Sequence, residues 1–380
     1  MNEDYEGACS LRRLNALCPY FTMFPLNFPL GVLSRARPDD WVLDPFCGRG
    51  TTNYAARLLG LASVGVDANP VAAAIADAKT VTTTPARILF SAQKILSERS
   101  GVTRVPKGEF WERCFDARTL HDLSTIRASL LQDCSSSTRK ALRAFLLGRL
   151  HGPRTKISLP SYLSNQMPRT FAPKPNYAVG FWRAKRLKPP HVNLLDLIER
   201  LAERYFSNIP ASVESAIVCG DSRTIPLTGI LKSLSSSSRA PQFNWVVTSP
   251  PYFGMRTYVP DQWLRNWFVG GPSDVDYASA TQIGINGYDG FITNLAAVWR
   301  NVATACVRGA TMVVRFGRLP SEGGDPREML YESFREAECG WIVKTARTSG
   351  KAAPGRRQAS QFVTVPAKQI QEYDVFLRLE

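Results

Sequence analysis

Asp44-Pro45-Phe46-Cys47-Gly48-Arg49-Gly50-Thr51-Thr52 lies between an apolar run and a helical pattern, and from it the fold class can be read. The residues before it, 41–45, form a short apolar run that predicts a strand. The two glycines predict a tight turn in which backbone can approach a ligand. The residues after it, 51–59, predict a helix with Thr51 as N-cap and Gly60 beyond its end. A helix N-terminus facing such a turn offers free N–H groups. Residues 62–67 (ASVGVD) then predict a second strand ending on Asp67, where a carboxylate can accept both hydroxyls of a ribose. Asn69-Pro70 predicts the cap and first turn of a helix over 71–79. This is a β-α-β unit.

The turn is not a Walker A loop, because no Lys-Ser/Thr follows the glycines. It is also a poor dinucleotide fingerprint. Its spacing is G-x-G without a third glycine, and the preceding Asp44 would repel a pyrophosphate. An acidic turn suits a ligand that carries a cationic group.

The same alternation resumes late in the chain. Strands are predicted over 216–220, 245–248, 311–316, 341–345 and 373–379, with helices over 291–306 and from Asp325-Pro326 to 337. Strands alternating with helices imply an α/β, doubly wound, mainly parallel sheet. Between the halves the pattern changes. Residues 90–150 are helical, with Leu120, Leu123, Ile126, Leu130 and Leu131 at helical spacing. Residues 151–190 are dominated by Pro, Ser and Arg and predict little regular structure. A helix returns over 192–206.

The interruption is also where the charge lies. The chain has 380 residues and a formal net charge of +15. Residues 1–100 hold 10 basic and 9 acidic side chains, and residues 211–380 hold 18 and 15. Residues 101–210 hold 19 and 8. From Cys134 to Leu195 no Asp or Glu occurs, while twelve Lys/Arg are interleaved with Phe145, Tyr162, Phe171, Tyr177, Phe181 and Trp182. Basic and aromatic residues together suit a groove for phosphates and unstacked bases. A solvated basic insertion is the alternative.

The rest of the composition excludes several classes. The longest apolar runs, 71–76 and 141–150, fall far short of the about 20 residues a membrane span needs. The N-terminus has no apolar core, which argues against a signal peptide, and the cysteine usage makes a reducing cytoplasm the default. Eight cysteines include no C-x-x-C, and the three histidines are scattered. Neither a metal site nor a disulfide framework is expected.

The second chemical motif is Thr248-Ser249-Pro250-Pro251-Tyr252, at the end of an apolar strand. Two consecutive prolines stiffen the loop and remove two N–H donors. The loop therefore presents carbonyl oxygens, which an exocyclic amino group needs as acceptors when its lone pair attacks a methyl donor. Tyr252 adds a flat surface for stacking.

Taken together, the glycine turn and the SPPY loop resemble the DPFxGxGTT and SPPY motifs of AdoMet-dependent DNA amino-methyltransferases acting on cytosine N4 or adenine N6. Tyr20-Phe21-Thr22-Met23-Phe24-Pro25-Leu26-Asn27-Phe28-Pro29 resembles the family's N-terminal aromatic-proline motif. The resemblance covers residues 15–85 and 211–380. It implies a Rossmann-like class I methyltransferase domain over 1–85 and 211–380, with 86–210 as an inserted DNA target-recognition region.

The resemblance also implies roles. S-adenosyl-L-methionine would be held by Phe24, Asp44, Phe46, Gly48, Gly50, Thr51, Asp67 and Asp221, the last on the cofactor's adenine amino group. A base flipped out of DNA would be received by Ser249, Pro250, Pro251 and Tyr252, with direct methyl transfer and no covalent enzyme intermediate. The Ser249 side chain and Pro250 carbonyl would hold the amino group, and Tyr252 would stack on the base. Ser before Pro-Pro-Tyr is most typical of N4-cytosine enzymes. DNA would be gripped by Arg154, Lys156, Arg169, Lys174, Arg183, Lys185, Arg186, Lys188 and Arg256. The stretch 253–267 could line the base pocket, and residues 350–361 could add a phosphate-binding loop. A cognate restriction endonuclease, encoded separately, fits a restriction-modification setting.

Departures keep alternatives open. The AdoMet motif precedes SPPY here, whereas many N4-cytosine enzymes have the reverse order, and the insertion starts after the second strand. Adenine N6 methylation, guanine N2 methylation of RNA, and a non-catalytic DNA-binding subunit all remain open. No Pro-Cys pair is present for C5-cytosine chemistry, and no H-x-E with P-C-x-x-C for a zinc deaminase.

Overall fold

The computed structural model describes residues 12–18, 24–98, 104–152, 161–165, 175–235, 241–254, 262–275, 287–317, 325–349 and 372–380. The chain divides into two compact units. One comprises residues 20–80, 211–257 and 280–380, and the other residues 1–19, 81–210 and 258–279. These bounds depart from a division at 85/86 and 210/211. Residues 1–19 and 258–279, which the sequence reading grouped with the catalytic region, cluster with 81–210 instead.

The first unit holds a seven-stranded sheet. Its strands are β1 (Trp41–Asp44), β2 (Ala62–Asp67), β3 (Ser215–Cys219), β4 (Phe243–Thr248), β5 (Cys306–Gly317), β6 (Trp341–Thr348) and β7 (Glu372–Leu379), in the order β3-β2-β1-β4-β5-β7-β6. The pairs among β1 to β5 are parallel, and β7 runs antiparallel to both β5 and β6. This is the doubly wound, mainly parallel sheet that the alternating pattern predicts.

Strand alternation explains the two-sided core. Successive side chains point to opposite faces. Trp41, Leu43 and Val246 join one buried cluster, with Phe291, Leu295 and Trp299 of helix Gly287–Thr304 and Leu330 and Phe334 of helix Pro326–Ala337. Val42 and Val247 face the other cluster, with Leu33, Ala55, Ala56 and Leu61. Both faces are therefore apolar, as a parallel sheet covered by helices requires.

Two of the predicted helix starts are capped as their sequences imply. Asn69 Oδ1 accepts from Val71 N at 2.9 Å and Asp325 Oδ1 accepts from Arg327 N at 2.9 Å, opening helices Pro70–Asp77 and Pro326–Ala337. Thr51 is not the N-cap of its helix. Gly50 caps helix Thr51–Leu58 at φ +72°, and Thr51 is the first helical residue. A left-handed cap favours glycine because it has no Cβ. A Cβ on Gly50 would also sit 2.8 Å from the Ala76 Cβ.

The second unit is helical. It contains helices Pro85–Glu98, Glu109–Cys114, Ala117–Gln132, Ser137–Arg149, Pro175–Ala184, Leu194–Phe206 and Trp263–Phe268. Residues 175–184 correct the expectation of little regular structure over 151–190. Their apolar side chains Ala178 and Trp182 are fully buried, so packing outweighs the Pro-rich context. Leu131 also departs from its helical stripe, being 45% exposed.

The core of this unit is aromatic. Trp111 lies 4.7 Å from Trp267 and 5.5 Å from Trp263, and Phe110 lies 5.6 Å from Trp182, centroid to centroid. Among the described residues, no helix is long and apolar enough to cross a membrane.

Candidate active site

The strand order makes the site. The chain runs from β1 outward to β2 and β3, then returns to lay β4 on the other side of β1. Ligands in such sheets bind beyond the carboxyl ends of the strands where the order reverses. Asp44 ends β1 and Thr248 ends β4, so the two predicted motifs flank that point.

Asp44 is completely buried. Its Oδ1 accepts from Phe46 N at 3.1 Å and from Thr248 Oγ1 at 2.6 Å. Its Oδ2 is buried without a hydrogen-bond partner among the described residues. Burial pushes its pKa up to about 6, and hydrogen bonding from Thr248, Thr52 and Phe46, in that order, holds it back from rising further.

Asp67, at the end of β2, organises the turn. Its Oδ2 accepts from Gly48 N at 2.8 Å and its Oδ1 from Asn69 N at 2.8 Å. Burial raises its pKa, and these two N–H donors oppose the rise. Gly48 has φ +52°, and a Cβ built there would meet nothing within 4 Å, so the turn opens onto free space. Gly65 is required nearby, because its Cβ would sit 2.6 Å from Asn53 Oδ1. Phe46 packs edge-on against Trp299, centroids 6.1 Å apart.

These features fit a cofactor with a cationic amino group and a ribose. A buried carboxylate oxygen without a partner favours a cation, and carboxylates holding two backbone donors retain acceptor sites. Cys47 is no nucleophile here, since burial pushes its thiol well up.

The remaining expected cofactor contacts are less direct. Phe24 meets Phe28 edge-on at 5.2 Å, and Phe28 lies under the Arg315 guanidinium at 3.7 Å. Arg315 in turn bridges to Asp374 at 2.7 and 2.8 Å. Residues 20–23 lie outside the described residues. Asp221 is engaged by Arg223, which reaches its carboxylate through the backbone N–H, Nε and Nη2 at 2.6–3.0 Å. Those bonds hold its pKa below the usual range. An acceptor role for Asp221 has to share the carboxylate with that guanidinium. The neighbouring Ser222 Oγ donates to Pro45 O at 2.5 Å, pinning the loop after β3 to the glycine turn.

In the SPPY loop, Pro250 is buried and Ser249, Pro251 and Tyr252 are half-buried. Tyr252 is held at both ends. Its hydroxyl donates to Glu372 Oε1 at 3.0 Å, and its ring meets Phe316 edge-on at 5.6 Å. Glu372 opens β7 opposite Gly317 of β5, so the last strand fixes the tyrosine. Thr248, Ser222 and Glu372 were not singled out from the sequence. Thr248 carries a readable signal, a hydroxyl at a buried strand end beside the motif. Glu372 and Ser222 carry none, because their partners lie 120 and 177 residues away.

The nucleic-acid residues divide. Arg154, Lys156, Arg169, Lys174 and Arg256 lie outside the described residues, as do residues 350–361. Lys185, Arg186 and Lys188 are all exposed. Arg183 is not a free cation. It forms a bidentate pair with Glu109, Nε to Oε1 at 2.7 Å and Nη2 to Oε2, and Arg113 shares the same carboxylate at 2.7 Å. Phe145 and Trp182 are buried at 1% and 0% exposure, so they belong to the core. Tyr177, at 56%, remains on the surface. The stretch 253–267 splits likewise. Phe253 packs on Phe291 and Tyr288, whereas Trp263 and Trp267 are buried in the aromatic core of the helical unit.

Comparison with known proteins gives three findings. No curated protein sequence matches the chain. Solved structures that match include the rRNA methyltransferase aviRa from Streptomyces viridochromogenes (12% identity, 95% of this chain and 87% of that one, TM-score 0.32). They also include an rRNA methylase from Streptococcus thermophilus (6%, 95% and 99%, TM-score 0.32) and a SAM-dependent methyltransferase from Methanosarcina mazei (9%, 95% and 100%, TM-score 0.33). A family model described as DNA methylase, N6_N4_Mtase, matches residues 12–78, which contain the glycine turn and Asp67. With its seven-stranded sheet the chain has the Rossmann-like class I methyltransferase fold, and the match over residues 12–78 supports an AdoMet-dependent DNA amino-methyltransferase family for it.

Proposed function

We propose that this protein methylates the exocyclic N4 amino group of a cytosine flipped out of DNA. The observation that carries the reading is the placement of the two motifs. The acidic glycine turn and the SPPY loop leave the carboxyl ends of adjacent parallel strands and are joined by the Thr248–Asp44 hydrogen bond. Donor and acceptor sites on neighbouring strand ends are what an in-line transfer needs.

AdoMet, when bound, supplies the methyl group. Asp44 would hold its amino group through the unpartnered Oδ2. Asp67 would hold the ribose, with Gly48, Gly50 and Thr51 leaving room at the turn and Phe24 and Phe46 bordering it. Asp221, held by Arg223, would face the adenine. The Ser249 hydroxyl and Pro250 carbonyl would accept the hydrogens of the target amino group and orient its lone pair. Tyr252, anchored by Glu372 and Phe316, would stack on the base. Lys185, Arg186 and Lys188, with the cations outside the described residues, would attract phosphates, and residues 86–210 would serve as the target-recognition region.

The family model that matches covers both N4 and N6 chemistry, so adenine N6 is the second reading. Mass spectrometry of nucleosides from DNA of cells expressing the protein separates them. N4-methylcytosine is expected. N6-methyladenine alone would move the assignment to adenine, and neither product would remove DNA as the substrate. A restriction endonuclease partner follows only if the methylated site also proves to be a cleavage site in the same cells.

A further inference from the structure

We infer that Thr248 is a positioning residue: through its hydroxyl on Asp44 Oδ1 it locks the cofactor turn to the amino-acceptor loop and leaves Asp44 Oδ2 as the acceptor for the cofactor's cationic group. The inference rests on the methyltransferase reading above, in which the Thr248–Asp44 bond only joins the two motifs, and adds to it an effect of Thr248 on cofactor affinity.

Thr248 and Asp44 are both 0% exposed, and their 2.6 Å bond is a charge-assisted one when Asp44 is ionised. Thr248 immediately precedes Ser249, so whatever fixes its side chain fixes the backbone entering the loop. A second tie runs parallel to it. Thr52 Oγ1, at the start of the helix after the glycine turn, donates to Val247 O at 3.0 Å. Two threonines thus join the two strand ends, one through a carboxylate and one through a backbone carbonyl.

Thr248 has the larger effect on ionisation, and Thr52, which also donates to Val247 O, adds a smaller one. The titratable groups around Asp44 are Asp67 across the turn and the Cys47 thiol beside it, and Asp67 opposes the negative charge. From β4, Thr248 contributes a donor and no charge. Without that donor, Oδ1 keeps the Phe46 N–H, and the carboxylate loses the largest of the hydrogen-bonding effects that lower its pKa. The carboxylate then ionises at higher pH, and its hold on a cation weakens in the neutral range.

The test is calorimetric titration of AdoMet, without DNA, into the full-length protein and its variants from about pH 5 to about pH 8. Wild-type affinity should rise with pH through about 6, the value at which Asp44 ionises. Thr248→Val, which keeps the shape and removes the donor, should bind about tenfold more weakly at neutral pH and show its rise at higher pH. Thr248→Ser should follow wild type. If circular dichroism shows Thr248→Val misfolded, Thr248→Ala must give the same shift. Wild-type affinity and pH dependence in the folded valine or alanine variant would overturn the positioning role and leave the methyltransferase reading standing. No AdoMet binding by the wild type at any pH would overturn that reading and this inference with it.

Discussion

Two strand-end carboxylates of the sheet unit and two surface carboxylates of the helical unit behave in opposite ways. In the sheet unit, Asp44 is fully buried and Asp67 half-buried at strand ends, and desolvation raises both. In the helical unit, Glu109 and Asp133 are at the surface, and hydrogen bonds, from Arg183 and Arg113 to Glu109 and from Ser135 to Asp133, lower both. The first arrangement costs stability and is kept only where something offsets it. The second is ordinary surface pairing, worth little in stability. The contrast says where the chemistry lies. Desolvated acidic groups sit with the motifs, while most of the basic excess falls in the helical unit.

Variants can break or sharpen that division. The largest effect is expected at the acceptor loop. Ser249→Ala and Tyr252→Ala should each cut methyl transfer from labelled AdoMet to mixed-sequence DNA by about a hundredfold or more, while DNA binding in a mobility assay stays near wild type. Full transfer by both variants would take the chemistry away from the sheet unit.

Next comes the turn itself. Gly50→Ala meets both a left-handed φ and the Ala76 Cβ at 2.8 Å. It should lose about 2–4 kcal/mol of stability, read from chemical denaturation. A neutral result would mean that the turn tolerates a side chain and is not tightly built.

Asp44→Asn gives a smaller effect with a defined sign. A buried acid whose pKa is raised from 3.8 to about 6 stabilises the fold in its protonated form, and that contribution is lost as pH rises through about 6. The variant should therefore match wild type at about pH 4 and gain relative stability above about pH 6. The gain should reach roughly 1–3 kcal/mol, with AdoMet affinity falling at the same time. A pH-independent difference would show that Asp44 is not a strained carboxylate.

The smallest effects belong to the helical unit. Replacing Lys185, Arg186 and Lys188 by Gln should weaken DNA binding and reduce the salt slope by about 0.9 for each phosphate no longer neutralised. AdoMet binding should not change. Arg183→Gln should alter the slope less, because its charge is already matched by Glu109. An unchanged slope in the triple variant would show that these cations do not touch phosphates.

Much of the sheet unit was legible in the sequence because its signals are local. A capping Asn69 or Asp325, a glycine turn between a strand and a helix, and apolar runs of strand length each report on their own few residues. The helical unit was less legible. A basic, Pro-rich context hid helix Pro175–Ala184, whose formation goes with burial of Trp182 against Phe110. The aromatics of that segment read as a stacking surface until packing assigned Phe145 and Trp182 to the core. Arg183 read as a free cation because its partner, Glu109, lies 74 residues earlier.

The alternation of strands and helices, the two motifs, and the segregation of positive charge into the middle of the chain are all legible in the residue order. Composition and short-range pattern carry all three. That β4 returns beside β1, so that Thr248 reaches Asp44 across 204 residues of chain, emerges only in the folded sheet. The fold alone set Glu372 on Tyr252 and Arg223 on Asp221. Such contacts depend on strand order and register, which are settled by packing both faces of the sheet and not by any short stretch of residues.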